Sequence, residues 1–193
     1  MSESDIRPRS DQLKQELFRE NERKRYGSTM RNTIYILIVV AAVAVLLSGY
    51  VISVLRVEGV SMSPNLEDAD LVVAVHTKQF DPGEVVGFYY NNRILLKRVI
   101  GSPGDTVDMD SEGNLFVNGV MLEESYLSEK DYGDYTDIAF PCQVPEKRFF
   151  VIGDNRKESI DSRSSAIGTI TSDQVVGKIV LRVWPLADFG GVR

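Results

Sequence analysis

Between Ile34 and Leu55 the chain runs without a single charged residue (IYILIVVAAVAVLLSGYVISVL). A helix of that length is about 33 Å long at ~1.5 Å per residue, close to the hydrocarbon thickness of a bilayer. Lipid offers no partners for backbone N–H and C=O groups, so a span of this kind has to be helical. A buried core helix rarely runs so far without a polar face. A cleavable export signal fits poorly: the basic region ahead is too long, the apolar stretch exceeds the usual length and no A-x-A site follows. Arg19, Arg23, Lys24, Arg25 and Arg31 precede the segment, whereas Arg56 alone follows closely, ahead of Glu58, Glu67, Asp68 and Asp70. That asymmetry places the N-terminus in the cytoplasm and the rest outside. Three regions follow: a polar cytoplasmic tail (1–33), a transmembrane anchor helix (34–55) and an extracytoplasmic domain (56–193). Within the tail, Gln12 to Arg25 could form a helix, but its apolar residues are sparse and a solvated or frayed state is expected.

After Arg56 the pattern changes to short runs broken by Gly, Pro and Asp. Leu71–His76 reads as a strand, and Asp81-Pro82-Gly83 as a turn. Glu84–Tyr90 and Ile94–Ile100 flank Asn91-Asn92-Arg93 as a hairpin, and a second hairpin bends at Asn118-Gly119. Phe149–Ile152 and Lys178–Trp184 are further strands. No long amphipathic helix follows the anchor. The domain is expected to be mainly β, of barrel or sandwich type, preceded by one transmembrane helix.

Composition narrows the chemistry. The net charge of −6 and pI near 4.9 argue against a nucleic-acid binder, which needs a basic surface. A single cysteine, Cys142, excludes an intrachain disulfide, and a single histidine, His76, excludes the usual zinc sites. No metal and no cofactor are expected. Any hydrolysis must rest on Ser, Lys, Asp and backbone groups.

Three clusters can carry such chemistry. Gly59-Val60-Ser61-Met62-Ser63-Pro64 places a serine among small residues before a proline; alone, it reads more readily as a generic loop. Leu95-Leu96-Lys97-Arg98-Val99-Ile100 sets a lysine in an apolar strand, where alternation turns Lys97 away from Leu96 and Arg98. Alone, it reads as an edge residue facing water. Gly153 to Arg163 (GDNRKESIDSR) follows an apolar strand and reads, alone, as a polar loop with a local Asp–Arg pair. Together they have a logic: a serine hydroxyl needs a base. A lysine among apolar groups can serve, because burial penalises its charged form and lowers its pKa.

At this point the residues resemble the bacterial type I signal peptidases. Gly59 to Leu66 looks like the family's nucleophile box (G-x-S-M-x-P-T-L). Lys97 to Asp105 looks like its lysine box (K-R-V-x-G-x-P-G-D), and Gly153 to Arg163 is similar to its third box (G-D-N-R-x-x-S-x-D-S-R). The boxes come in family order after one anchor, and the short chain resembles Gram-positive members.

The resemblance implies a membrane-bound serine endopeptidase that removes signal peptides from exported preproteins, cutting after small residues of A-x-A type. It implies Ser61 as nucleophile and Lys97 as general base. Ser159 would orient the Lys97 amine, and Asp161 and Arg163 would pair to support the loop. The Ser61 backbone N–H would face the oxyanion, with Gly59 offering only its backbone there. Partners would be signal-peptide-bearing preproteins and the lipid bilayer, with no nucleic acid and a monomer favoured. Asn65 departs from the usual threonine and Ser102 from an apolar residue, which suggests tuning rather than loss. Val57–Val60 and the Tyr90–Lys97 region are candidate walls for the substrate. Phe80, Phe88 and Trp184 could touch lipid, with core packing the expected role for most. Cys142 is expected to be an unpaired, non-catalytic thiol and His76 a strand residue rather than a base. Alternatives that stay open are a catalytically silent, membrane-tethered relative, a narrow-substrate member (pilin-dedicated, for example) and a self-cleaving repressor sharing the Ser–Lys chemistry. The anchor and acidic charge count against the last.

Overall fold

The computed structural model describes Ser10–Val192 and contains two compact units, residues 1–48 and 49–193. The first is helical. Helix α1 runs over Ser10–Val51, and its part Met30–Val51 is long and apolar enough to cross a membrane. The described side chains of that part are exposed, as a lipid-facing helix requires. Two expectations change here. The stretch 12–25 is helical rather than frayed, in keeping with its Gln, Leu, Lys, Glu and Arg, all good helix formers. Residues 1–9 of the expected tail lie outside the described residues. At the other end the helix stops at Val51, not Leu55. Ile52–Arg56 form strand β1 instead, in register with strand β2 (Leu71–Val75) from Ile52↔Val75 to Arg56↔Leu71. The β-branched Ile52 and Val54 suit a strand, and pairing buries Leu55 in the core.

The second unit is built from two antiparallel sheets. Further strands are β3 (Val85–Tyr90), β4 (Arg93–Gly101), β5 (Thr106–Met109), β6 (Leu115–Val117), β7 (Val120–Met121) and β8 (Cys142–Gln143). They are followed by β9 (Arg148–Ile152), β10 (Ile170–Thr171), β11 (Val175–Trp184) and β12 (Gly190–Gly191). The larger sheet has the order β1-β2-β11-β3-β4-β9-β10, with β12 on β11; the smaller has β7-β6-β5-β8. Both expected hairpins are present, closing at Asn91-Asn92 and at Asn118-Gly119. All four residues have positive φ (45°, 64°, 54° and 80°), the backbone that matches strand twist and that Asn and Gly tolerate best.

The centre of the large sheet, in β3, β4 and β9, is buried on both faces, which explains why those strands read as near-continuous apolar runs. Val85 and Leu96 pack with Leu55, Met62, Leu66 and Ile179 on one side. Val86, Phe88 and Val99 pack with Phe149, Val151 and Ile170 on the other. A third cluster, with Ile100, Val107, Leu115 and Phe150, joins the smaller sheet to the end of β4. Phe88 and Phe80 are core residues as expected, and each such side chain contributes about 1.5–3 kcal/mol on burial. Trp184 differs: it is exposed, as are Leu186 and Phe189.

Candidate active site

Ser61 sits in the loop joining β1 to β2. The base of that loop is closed by two backbone bonds, from Val57 N–H to Asp70 O (2.8 Å) and from Ala69 N–H to Val57 O (3.0 Å). Met62 and Leu66 are fully buried in the first core cluster, one helical turn apart, with Leu66 N–H donating to Met62 O (3.0 Å). These two anchors leave Ser61 half-buried at the surface of the loop.

Lys97 comes from the centre of β4. It is 2 % exposed, so the edge reading of this lysine does not hold. Its Nζ lies 2.6 Å from Ser61 Oγ and donates to Leu96 O at 3.0 Å. Burial lowers its pKa from 10.5 to about 8; Asp161 and Asp154 oppose that fall, and Arg163 adds to it. The amine is therefore neutral in an appreciable fraction of molecules near neutral pH.

The loop after β9 supplies the frame. Asp161 and Arg163 form a buried two-pronged pair, Nε to Oδ1 and Nη2 to Oδ2, both 2.9 Å. Asp161 also accepts from Gly153 N–H (2.9 Å), while Arg163 reaches Tyr132 O (3.0 Å) and Arg156 O (2.8 Å). A second pair, absent from the sequence reading, joins Arg98 to Asp154 (2.8 and 2.6 Å), with the Arg98 guanidinium 4.0 Å above the Tyr126 ring. A third joins Arg156 to Glu124, which also accepts from Tyr126 Oη (2.7 Å). Burial, with Glu124 beside it, keeps the Tyr126 hydroxyl protonated well above its usual range.

Two placements differ from expectation. Ser159 is buried beside this frame, but its Oγ has no hydrogen-bond partner among the described residues and makes no bond to Lys97. The Lys97 amine instead has Leu96 O as its second partner. Gly59 N–H donates to Asp68 Oδ1 (2.8 Å), so it is engaged rather than free for an oxyanion. Asn155, whose role the sequence reading missed, donates from its backbone N–H to Ser61 O (3.1 Å) and from Nδ2 to Val60 O (3.2 Å). It thereby fastens the serine loop to the third box. Only the sequence G-D-N-R, as a turn-forming run beside the pair-forming residues, hinted at such a clamp.

Ser61 and Lys97 open onto a cleft of about 480 Å³. Its walls include Val60, Tyr90 and Leu95 from the expected segments, together with Glu158, Ile160 and Ile167. Val57 is instead a core residue. His76 is exposed, and its ring bonds Ser53 Oγ (2.8 Å) and Tyr50 O (2.9 Å), with no carboxylate partner among the described residues. Cys142 is a half-buried free thiol whose pKa is raised by burial. No group of acidic, His and Cys residues able to hold a metal occurs among the described residues.

A hydroxyl 2.6 Å from a buried amine, both lining a cleft, is an arrangement that can perform acyl transfer with lysine in place of histidine. Comparison with known proteins gives the family. The family model described as signal peptidase, peptidase S26, matches residues 30–184. Signal peptidase IB of Staphylococcus aureus is 36% identical over 172 residues, covering 79% of this chain and 88% of its own. Signal peptidase I of Bacillus amyloliquefaciens is 33% identical over 168 residues, covering 82% and 90%. A crystal structure of a signal peptidase I from Enterococcus faecalis aligns with a TM-score of 0.43 at 32% identity, covering 51% of this chain and 95% of that one. The chain belongs to the signal peptidase family, peptidase S26. It is a peptidase of mainly β fold, and its membership supports the removal of signal peptides from preproteins.

Proposed function

We propose that this peptidase cuts preproteins after small residues of A-x-A type, using Ser61 as nucleophile and Lys97 as general base, while α1 holds it in the cytoplasmic membrane with the β unit outside. The observation that carries the reading is the 2.6 Å approach of Lys97 Nζ to Ser61 Oγ, made by an amine whose pKa burial lowers to about 8.

The chemistry follows from those two groups. Neutral Lys97 takes the Ser61 hydroxyl proton as Oγ bonds to the scissile carbonyl carbon. The carbonyl oxygen becomes an oxyanion, and Ser61 N–H, bonded to nothing among the described residues, is the donor available beside it. When the C–N bond breaks, the Lys97 ammonium gives its proton to the departing amine, leaving an ester on Ser61. Water then attacks that ester, Lys97 accepts its proton, and the proton returns to Oγ as the serine is released. Asp161 and Arg163 act through the loop they brace and touch no reacting atom. The apolar lining from Val60, Leu95, Ile160 and Ile167 suits small aliphatic side chains of an extended substrate. The basic residues before the apolar span and the acidic ones after it support the proposed orientation.

The test is cleavage of a preprotein bearing an A-x-A site by the full chain in detergent, beside Ser61→Ala and Lys97→Ala. Cutting after the second small residue, lost in both variants, is the expected result. A fully active Lys97→Ala protein would refute the dyad, and failure of folded wild type on several preproteins would favour a silent or narrow-substrate relative.

A further inference from the structure

Asn65 stands four residues after Ser61, at the position where the sequence resembles a threonine-bearing motif, and its side chain does something a threonine cannot. Its Nδ2 donates to two acceptors at once, Asp154 Oδ2 (2.8 Å) and Tyr126 O (2.8 Å). Two N–H donors facing two acceptors fix which way the amide points; a hydroxyl, with one proton, serves only one of them. Asp154 is in turn held by Arg98, and Arg98 lies over the Tyr126 ring. Arg182 Nη1 reaches the Asn65 carbonyl (3.2 Å) as well as Asp70 (3.1 Å). A ring of contacts thus runs from the serine loop through Asn65, Asp154 and Arg98 to the strand that carries Lys97. It joins the two halves of the site independently of the Ser61–Lys97 bond itself.

We infer that Asn65 is a positioning residue that sets Ser61 against Lys97 and tempers the field of the Asp154 carboxylate at the amine. This rests on the Ser61–Lys97 reading above. Two consequences differ from those of a merely structural residue. Without the clamp, Ser61 shifts relative to Lys97, which lowers kcat more than it raises KM. Without the Asn65 N–H on Oδ2, the Asp154 carboxylate keeps its pair with Arg98 but loses one of the donors that offset its charge, so the amine is harder to deprotonate. The other charged groups acting on Lys97 are Asp161 and Arg163, and Glu58, Arg93 and Glu158 line the cleft it opens to. All of these stay in place in the variants below.

The experiment compares Asn65→Leu, Asn65→Asp and Asn65→Thr in the full-length chain in detergent, measuring kcat, KM, the pH–rate limb and the melting temperature with one preprotein. Asn65→Leu is expected to lose about ten- to a hundredfold in kcat, the scale of a small misplacement of reacting groups, with KM little changed. Its limb should move to higher pH. Asn65→Asp should move the limb further in the same direction, because it sets a second carboxylate against Asp154. Asn65→Thr, keeping one donor, should recover most of kcat and place the limb near wild type. Wild-type kcat in Asn65→Leu overturns the inference, as does activity that falls in all three only in step with the folded fraction while the limb stays fixed. Residual full activity in Ser61→Ala or Lys97→Ala would instead overturn the reading on which it rests, and those controls keep the two failures apart.

Discussion

Lys97→Met should make the protein more stable at neutral pH while abolishing turnover. In the fold the Lys97 pKa is about 8 against 10.5 for the free side chain. At about 1.4 kcal/mol per pH unit, that gap amounts to roughly 3 kcal/mol, and with the side chain 2 % exposed, solvent screening discounts little of it. The sign follows from proton binding. Between about pH 8 and pH 10.5 the unfolded chain holds a proton on this lysine that the folded chain has shed, so stability rises with pH through that window. Below pH 8 the folded state carries the full penalty of a buried ammonium, and above 10.5 none. Methionine fills a similar volume without the charge but loses the bonds to Ser61 Oγ and Leu96 O, worth about 1 kcal/mol each at most. The variant should therefore gain about 1–2 kcal/mol at pH 7, or about 2–8 °C in melting temperature for a domain of this size. The gain should vanish and reverse slightly near pH 10.5. Urea denaturation of both full-length proteins in detergent, followed by near-ultraviolet circular dichroism from pH 6 to pH 11, measures it. A stability difference that stays flat across that range would refute the claim that the fold holds this amine at a cost.

Three further outcomes are expected. The pH dependence of kcat/KM should rise about tenfold per unit below pH 8 and level off above it, as the free enzyme's base deprotonates; a half-maximum near 10.5 would mean that Lys97 is not desolvated in solution. Asp161→Asn leaves the Arg163 guanidinium buried without its counter-charge and should cost about 3–5 kcal/mol, read as a lower urea midpoint, and in the folded fraction the pH–rate limb should move to lower pH because a carboxylate that raises the Lys97 pKa is gone. Gly153→Ala places a methyl within 2.5 Å of Ser61 O and closer still to Ser159 Oγ, so the third-box loop must shift away from the serine loop; kcat should fall at least tenfold, and a variant with wild-type kcat would show that the Asn155–Ser61 bond can be lost without effect.

How far the sequence could be read depended on how local the determinant was. The hairpins at Asn91-Asn92 and Asn118-Gly119 were legible because positive φ at two successive positions selects Asn and Gly. The apolar span was legible from composition, but its end was not. Residues 52–55 continue the uncharged run of the helix before them, and only pairing with β2 decides that they form a strand. Strands β5, β8, β10 and β12 were missed for a similar reason: most are two residues long and exist only through their partners. Ser61 and Lys97 were reached through motif likeness, and the structure brings them together. What single residues do inside the motifs was less legible. Gly59 N–H goes to Asp68, nine residues on, and Asn65 to Asp154, 89 residues on. Nothing local marks either bond.

The least legible feature is also the one that reconciles the electrostatics. Lys97 lies near two carboxylates, Asp161 and Asp154, both of which favour its charged form. Unopposed, they would hold the amine protonated and useless as a base. Each is instead locked to a guanidinium in two-pronged geometry, Asp161 to Arg163 and Asp154 to Arg98. At the amine, each pair presents a dipole rather than a free negative charge, and a dipole's influence falls off faster with distance. Desolvation then dominates, and the pKa goes down rather than up. Buried pairs of this kind contribute little net stability, since the desolvation they require offsets most of their attraction. Their arrangement around Lys97 makes sense as a means of keeping the loops rigid with acidic side chains while leaving the lysine in an electrically quiet place. On that view the arginines matter to the Lys97 amine as much as the carboxylates do. Removing an arginine frees its carboxylate and raises the Lys97 pKa, whereas removing a carboxylate lowers it, and the two kinds of variant should move the pH–rate limb in opposite directions.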